Sequence, residues 1–281
     1  TILDEDNGDP NDGSTTDGDK PTVVVGNATA TEGDNLVHSV TIEGITQADV
    51  TYDFDLSGVT ATDGDDYSSD PTDLVFSNGV TYDAVAGTIT VPAGVTDFTV
   101  SYPTNNDTIL ENDETTTITI GNDSGTGTIK DAGDAIPEVS IAATIPQATE
   151  GAGDAIVFTV SQTGATDKDS TVTVKLDLPG GIGGAVAADI DTIVLTNSDG
   201  STQSISVADA INGVSVTIPT GATSNPTFTI TPKQDAIYEV SEDFSMSISN
   251  PVNATVGTDS ATGTILDEDN GDPNDGSTTD G

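Results

Sequence analysis

Carboxylate side chains are the groups in this sequence that could do chemistry. In the first half of the chain they fall in clusters at Glu32, 63–66, Asp107, Glu111, 113–114 and Asp131. Two like charges 4 Å apart repel by about 1 kcal/mol even in water, so such a gathering is unfavourable without a cation. Hard oxygen ligands suit Ca²⁺, which takes about six to eight of them and tolerates irregular geometry. The clusters therefore indicate calcium binding, and solvated acidic loops are the alternative.

Composition narrows the possible partners. The chain has 48 acidic residues against five lysines and no arginine, which gives a net charge of −43. This charge excludes nucleic acid and anionic membranes as electrostatic partners. Cysteine is absent and histidine occurs once, so disulfides and metal sites built from thiolate or imidazole ligands are excluded. No stretch approaches the roughly 20 apolar residues of a membrane span.

The elements that must position these carboxylates read as strands. Short runs rich in Val, Ile and Thr alternate with Gly, Asn, Asp and Pro clusters. Strands are predicted at 36–42, 51–56, 88–91, 98–102, 115–120, 156–160, 171–178, 213–218, 227–230 and 244–248. The pairs at 78–79 and 199–200 are hairpin signals, and 207–212 could form one helical turn. His38 lies on the apolar face of its strand and is expected to be a neutral core residue.

Repetition divides the chain. Residues 1–18 recur without change at 264–281, a period of 263 residues, which predicts one unit of a longer tandem array. Three motif pairs in the same order also relate the two halves of the period. We therefore expect the end of a preceding repeat and an acidic linker at 1–20, β-sandwiches at 21–134 and 135–269, and the next linker at 270–281. About seven strands in roughly 115 residues indicate an all-β, immunoglobulin-like sandwich.

Motifs of the first half resemble those of Calx-beta domains. They are TEG at 31–33, TATDGDDY at 60–67, GTITVPAG at 87–94, NDTILENDE at 106–114 and GTIKD at 127–131. The resemblance implies two tandem calcium-binding sandwiches. By motif, the ligands it implies in the first domain are Glu32, Asp66, Asp107, Glu111, Glu114 and Asp131.

The second half carries counterparts of these ligands. They are Glu150, Asp189, Asp235, Glu239, Glu242, Asp267 and Asp269. Two positions depart from the family pattern: Asp189 precedes Ile190 instead of tyrosine, and the terminal acidic triplet of 267–269 shrinks to one acid, Asp131, in the first domain. We therefore expect fewer or weaker ions at the end of the first domain.

The linker extends the acidic pattern. Asp4 and Asp6 are equivalent by repetition to Asp267 and Asp269, so they are expected to join the calcium cluster of a preceding domain. Asp9, Asp12 and Asp17 could bind a further ion or remain solvated. An ion-free linker would be a self-repelling tether.

The resemblance extends to extender regions of giant, calcium-dependent, type I-secreted bacterial adhesins of the RTX class. It implies an extracellular, cell-surface rod, monomeric, whose partners are calcium ions and the neighbouring repeats of the same chain. Two alternatives stay open. The chain could itself bind glycan, ice or a neighbouring cell, or the pair Glu111 and Glu114 could do glycosidase chemistry. A sandwich without tryptophan disfavours the enzyme, so we expect none.

Overall fold

The computed structural model describes residues 20–234 and 239–267, and these form two compact units. The first unit consists of residues up to 107 together with 112–133, and the second of 108–111 together with residues from 134 onwards. Both units are built of β-sheets, which confirms the predicted all-β class with immunoglobulin-like sandwiches. None of the helices in the described part of the chain is long and apolar enough to cross a membrane.

The strands of the first unit alternate buried and exposed side chains, as the long strand at 35–43 shows in every residue. Among the described residues they are β1 Thr22–Val25, β2 Ala28–Thr31, β3 Asn35–Glu43, β4 Val50–Gly58, β5 Val75–Phe76, β6 Thr81–Asp83, β7 Thr88–Val91, β8 Asp97–Pro103, β9 Glu114–Ile120 and β10 Asp123–Lys130. This period of two follows from the pleat, which sends successive side chains to opposite faces.

Two sheets enclose the core of the first unit. One has the strand order β1-β3-β8-β5 and the other the order β2-β10-β9-β4-β7-β6. Strands β2 and β10 are parallel, and the remaining neighbours are antiparallel. Val40 and Val100 from the first sheet pack with Phe54 and Ile118 from the second. The buried faces of the two sheets therefore form the apolar layer of a sandwich.

His38 lies fully buried in this unit, as the sequence predicts. Its Nδ1–H donates to the carbonyl oxygen of Gly26 at 2.8 Å, so Nε2 accepts from the Tyr102 hydroxyl at 3.2 Å. The Tyr102 hydroxyl oxygen in turn lies 2.7 Å from that of Thr116. Burial lowers the pKa of His38, which keeps the imidazole neutral. The histidine is thus a hydrogen-bonded core residue.

The second unit repeats the plan with longer strands. Among the described residues they are β11 Glu138–Ile145, β12 Gln147–Thr149, β13 Ile156–Thr163, β14 Ser170–Asp177, β15 Ile190–Thr196, β16 Thr202–Ile205, β17 Val214–Ile218, β18 Thr227–Pro232, β19 Glu242–Val252, β20 Thr255–Val256 and β21 Ser260–Leu266. The sheet orders are β16-β15-β18-β13-β11-β20 and β12-β21-β19-β14-β17. Phe158, Phe228 and Phe244 are fully buried in the core.

Two helical segments occur in the described part of the second unit. A 3-10 turn spans Ala187–Asp189, and the helix α1 spans Val207–Asn212, where one helical turn was predicted. The hydroxyl of Ser206 accepts from the Asp209 N–H at 3.1 Å and so caps the first turn. Gly213, at φ 115°, ends the helix. Local capping signals thus explain a helix in an otherwise all-β unit.

The hairpin expectations had different outcomes. β15 and β16 pair antiparallel across the turn at Gly200, so the predicted hairpin is confirmed. Asn78 and Gly79 both have positive φ, as a tight turn requires, but the flanking strands do not pair. β5 pairs with β8, whereas β6 pairs with β7 in the other sheet. The hairpin prediction at 78–79 is therefore wrong, because the chain changes sheets at this turn.

Candidate metal centres

Strand pairing places acidic residues at one end of the first unit. Glu32 directly follows β2, which runs parallel to β10, and its N–H donates to the carbonyl oxygen of Lys130 at 2.9 Å. Asp131 follows β10 at that end. β9 begins there with Glu114, which pairs with Ile129 of β10. Three acids that are far apart in sequence are thus fixed at the ends of neighbouring strands.

The second unit uses the same geometry. Glu150 follows β12, which runs parallel to β21, and its N–H donates to the carbonyl oxygen of Leu266 at 3.0 Å. Asp267 follows β21, and Glu242 begins β19 opposite Ile265. The short parallel strand is therefore the element that gathers the carboxylates in both units, and the alternating sequence pattern did not reveal it.

In the first unit the structure forms two close pairs of carboxylates. A carboxylate oxygen of Glu32 lies within 4.8 Å of a carboxylate oxygen of Asp107. A carboxylate oxygen of Asp66 likewise lies within 4.8 Å of one of Glu114. Asp66 is held by its own loop, because its Oδ2 accepts from the Thr62 N–H at 2.5 Å. Both pairs offer hard oxygen donors to a cation.

The second unit forms a tighter group. Oxygens of Asp189, Glu239 and Glu242 all lie within 4.8 Å of one another. Asp189 Oδ2 accepts from the Val186 N–H at 2.5 Å, so the turn before β15 aims this side chain. The Glu239 N–H donates to Asp267 Oδ2 at 2.7 Å, which connects the group to the end of β21. The position at which the sequence departs from the family pattern, Asp189, therefore lies within the group.

Among the carboxyl groups for which the structure indicates a pKa shift, that of Glu242 is shifted most strongly. Its pKa is raised to about 8, first by burial, then by a hydrogen bond and repulsion from Asp189, and then by repulsion from Glu239 and Glu150. The hydrogen bond to Asp189 needs a shared proton, because both groups are carboxyls. The side chain is 9% exposed, and no donor group of the described residues reaches its Oε2.

This arrangement fits a hard divalent cation. A buried carboxylate oxygen without a donor is unfavourable, and a cation among all-oxygen ligands removes that cost. Asp189, Glu239 and Glu242 would hold the ion. Glu150 and Asp267, which are both buried, adjoin Glu242 and Glu239 respectively. The donor set contains no nitrogen or sulfur, which favours Ca²⁺ over zinc or copper.

The remaining predicted residues are placed as follows. Glu111 lies on the segment 108–111 and counts among the carboxylates that could hold a metal ion. Asp131 Oδ1 accepts from the Gly133 N–H at 2.6 Å. Asp235, Asp269, Asp4 and Asp6 lie outside the described residues, as do Asp9, Asp12 and Asp17.

One acidic residue was missed by the sequence interpretation. Asp134 begins the second unit, is half-buried and counts among the carboxylates that could hold a metal ion. It follows Asp131 by three residues, in the stretch where the terminal triplet is incomplete. The signal was an acid displaced from its expected position, which a comparison by motif passes over.

Comparison with protein families agrees with this geometry. The family described as the Calx-beta domain matches residues 16–85, 77–148 and 152–269, which is most of the chain. The chain therefore belongs to the Calx-beta family, as the motifs predicted. Calx-beta domains are binding or structural modules.

Solved structures with detectable similarity include calcium-binding domains and adhesins. The calcium-binding domain pair CBD12 of CALX1.1 has 13% identity and a TM-score of 0.33, over 87% of this chain and 99% of that one. The apo form of the Calx CBD1 domain has 13% identity and a TM-score of 0.32, over 48% of this chain and 99% of that one. The Escherichia coli adhesin FdeC has 11% identity and a TM-score of 0.28, over 88% of this chain and 63% of that one. No curated protein matches the chain in sequence.

Proposed function

We propose that this chain is a calcium-stabilised extender segment of a large bacterial cell-surface adhesin. Its role would be to hold a distal ligand-binding domain away from the cell. The observation that carries the proposal is the buried carboxylate group of the second unit, in which Glu242 Oε2 has no donor among the described residues. Without an ion, burial and repulsion raise the pKa of Glu242 to about 8, and a bound cation would compensate the charges of the group instead of a proton.

Calcium would act through folding. The acids of each group come from strand ends that meet only in the folded unit, for example Glu150 after β12 and Glu242 at the start of β19. An ion that binds these groups stabilises the folded state over the unfolded chain. At low calcium inside a cell the charge of −43 would favour a loose chain that can be exported. At millimolar calcium outside the cell the calcium-dependent parts of the chain would fold.

Repetition supports the structural part of the proposal. The identical stretches 1–18 and 264–281 are expected if the same unit is copied in series. Serial copies add length, and each sandwich would contribute roughly 35–45 Å from strand rise and loops. Asp4, Asp6 and Asp269 are proposed to belong to the calcium groups at the domain ends, as are Glu111 and Asp235. The rod would be monomeric, with neighbouring repeats and calcium ions as its partners.

Thermal unfolding tests the proposal. We expect that about 5–10 mM calcium, which exceeds the roughly 0.1–1 mM dissociation constants of extracellular calcium-binding modules, raises the unfolding temperature strongly over excess EDTA. Magnesium at the same concentration should act weakly, because it prefers octahedral geometry and dehydrates reluctantly. Equal unfolding temperatures in calcium and EDTA would refute the calcium-dependent extender. The acids would then act as a solubility device, and the sheet faces would become candidate adhesive surfaces.

A further inference from the structure

The two units differ in how deeply they bury equivalent carboxylates. In the second unit, equivalent acids are 5% exposed at Glu150, 7% at Asp189, 9% at Glu242 and 8% at Asp267. Their counterparts in the first unit, Glu32, Asp66, Glu114 and Asp131, are all half-buried. Four matched positions thus differ in the same direction, although strand pairing places three of the four by the same geometry in both units.

A longer connection in the second unit provides cover. Eleven residues separate β14 from Asp189, against seven between β4 and Asp66. The longer loop is fastened beside Glu242: the Asp243 N–H donates to the Gly183 oxygen at 3.0 Å, and the Ala185 N–H donates to the Asp243 oxygen at 3.1 Å. Ala185 is fully buried. The loop therefore packs over the start of β19, where the group is formed.

The depth to which the carboxylates are buried determines how much an ion-free site destabilises the folded unit. Water solvates half-exposed carboxylates and screens their repulsion, so the first unit can stay folded without an ion. Buried carboxylates lose that solvation, and removal of the counter-charge leaves an uncompensated buried charge. Glu242 is one of four described carboxylates of the second unit that are at most 9% exposed. In the first unit the Glu32 Oε2 atom is buried too, but Glu32 and the other matched acids are only half-buried as whole residues.

We propose that calcium-dependent folding is concentrated in the second unit, whereas the first unit stays folded without calcium and only its end loops respond to the ion. This inference rests on the proposed function, because it assigns different roles to the two calcium-binding units. Each period would then alternate a segment whose fold does not need calcium with one whose fold is only marginally stable without it. An array would stiffen when its second units fold, and its first units would persist throughout.

Hydrogen exchange followed by mass spectrometry tests this on the whole chain, because peptides report each unit separately. In EDTA we expect the amides of β19 and β21 to lose protection, and those of β3 and β8 to keep it. Addition of calcium should restore the protection of the amides of β19 and β21 in the second unit. The matched variants Glu242→Gln and Glu114→Gln remove one equivalent charge from each unit. E242Q should increase the protection of β19 and β21 in EDTA, because it removes one buried charge, whereas E114Q should leave the protection of β3 and β8 unchanged.

The outcomes separate the two proposals. Loss of protection in both units together in EDTA would overturn the inference but leave calcium-dependent folding intact. An effect of E114Q on global protection of the first unit as large as that of E242Q on the second would overturn it too. Protection that is unchanged by calcium in both units would overturn the proposed function itself. A protected first unit beside an unprotected second unit in EDTA would support the inference.

Discussion

Replacement of Glu242 by glutamine should stabilise the calcium-free protein and destabilise the calcium-loaded one. Glutamine keeps the shape of the side chain, removes the charge and offers an amide donor to Asp189. Without calcium the glutamate is repelled by Asp189, Glu239 and Glu150. With calcium it is a proposed ligand. A single substitution with opposite effects in the two conditions is a signature that ordinary packing changes do not produce.

The size of the stabilisation expected from E242Q without calcium follows from the pKa of Glu242. The pKa of Glu242 is about 8 in the folded unit, whereas the ordinary glutamate pKa of 4.5 applies to the unfolded chain. At pH 7 the folded unit therefore holds this carboxyl mostly protonated while the unfolded chain ionises it, which costs the folded state about 3 kcal/mol. The penalty is absent below pH 4.5, grows as pH rises towards 8 and is constant above that value. Relief of about 3 kcal/mol should raise the unfolding temperature of a domain of this size by about 10 °C.

Thermal unfolding of the second unit in EDTA at pH 5, 7 and 9 measures this. The gain from E242Q should be small at pH 5 and increase to pH 9. Glu138→Gln is the matched control, because Glu138 is an exposed glutamate of the same unit and the change in net charge is identical. In calcium the order should reverse, and E242Q should unfold at a lower temperature than the wild-type chain.

The reasoning would be refuted if E242Q lowered the unfolding temperature in EDTA, or if it did no more than E138Q. The first result would mean that the carboxylate makes favourable contacts in the ion-free fold. The second would mean that its effect is only that of net charge. A gain that did not depend on pH would equally contradict the assignment of the effect to ionisation.

Three further outcomes are expected. Burial lowers the pKa of His38, so NMR of this single histidine should show no titration near pH 6.5 in the folded chain. The stability of the first unit should fall as pH drops below 6.5, because the unfolded chain then binds a proton that the folded unit does not. His38→Phe should remove this loss of stability at low pH. Gly127→Ala should destabilise the first unit by about 1–3 kcal/mol in urea unfolding, because the new Cβ meets the Tyr102 hydroxyl at 2.7 Å. Phe158→Ala should cost the second unit about 3–5 kcal/mol in the same assay, since this ring is fully buried; a loss under about 1 kcal/mol would contradict the core assignment.

The ten strands predicted from alternation correspond to strands of the structure, whereas several others escaped. β10 contains Gly125 and Gly127, which weaken a strand pattern, and β2 is only four residues long. A Cβ at Gly127 would strike the Tyr102 hydroxyl, so the glycine is required by packing. Strands whose composition is set by a neighbour across the core cannot be recognised from their own sequence.

The sequence by itself determined the fold class, the family and the chemical character of the sites. Alternating β-branched residues dictate strands, the repeated motifs identify Calx-beta domains, and an excess of carboxylates without histidine or cysteine ligands indicates a hard cation. Only the tertiary structure decided which carboxylates meet and how deeply they lie. Asp189 is 7% exposed and its counterpart Asp66 is half-buried, although the motifs are equivalent. The physical reason is that burial depends on what packs over a residue, and here a longer loop fastened to the start of β19 provides that cover.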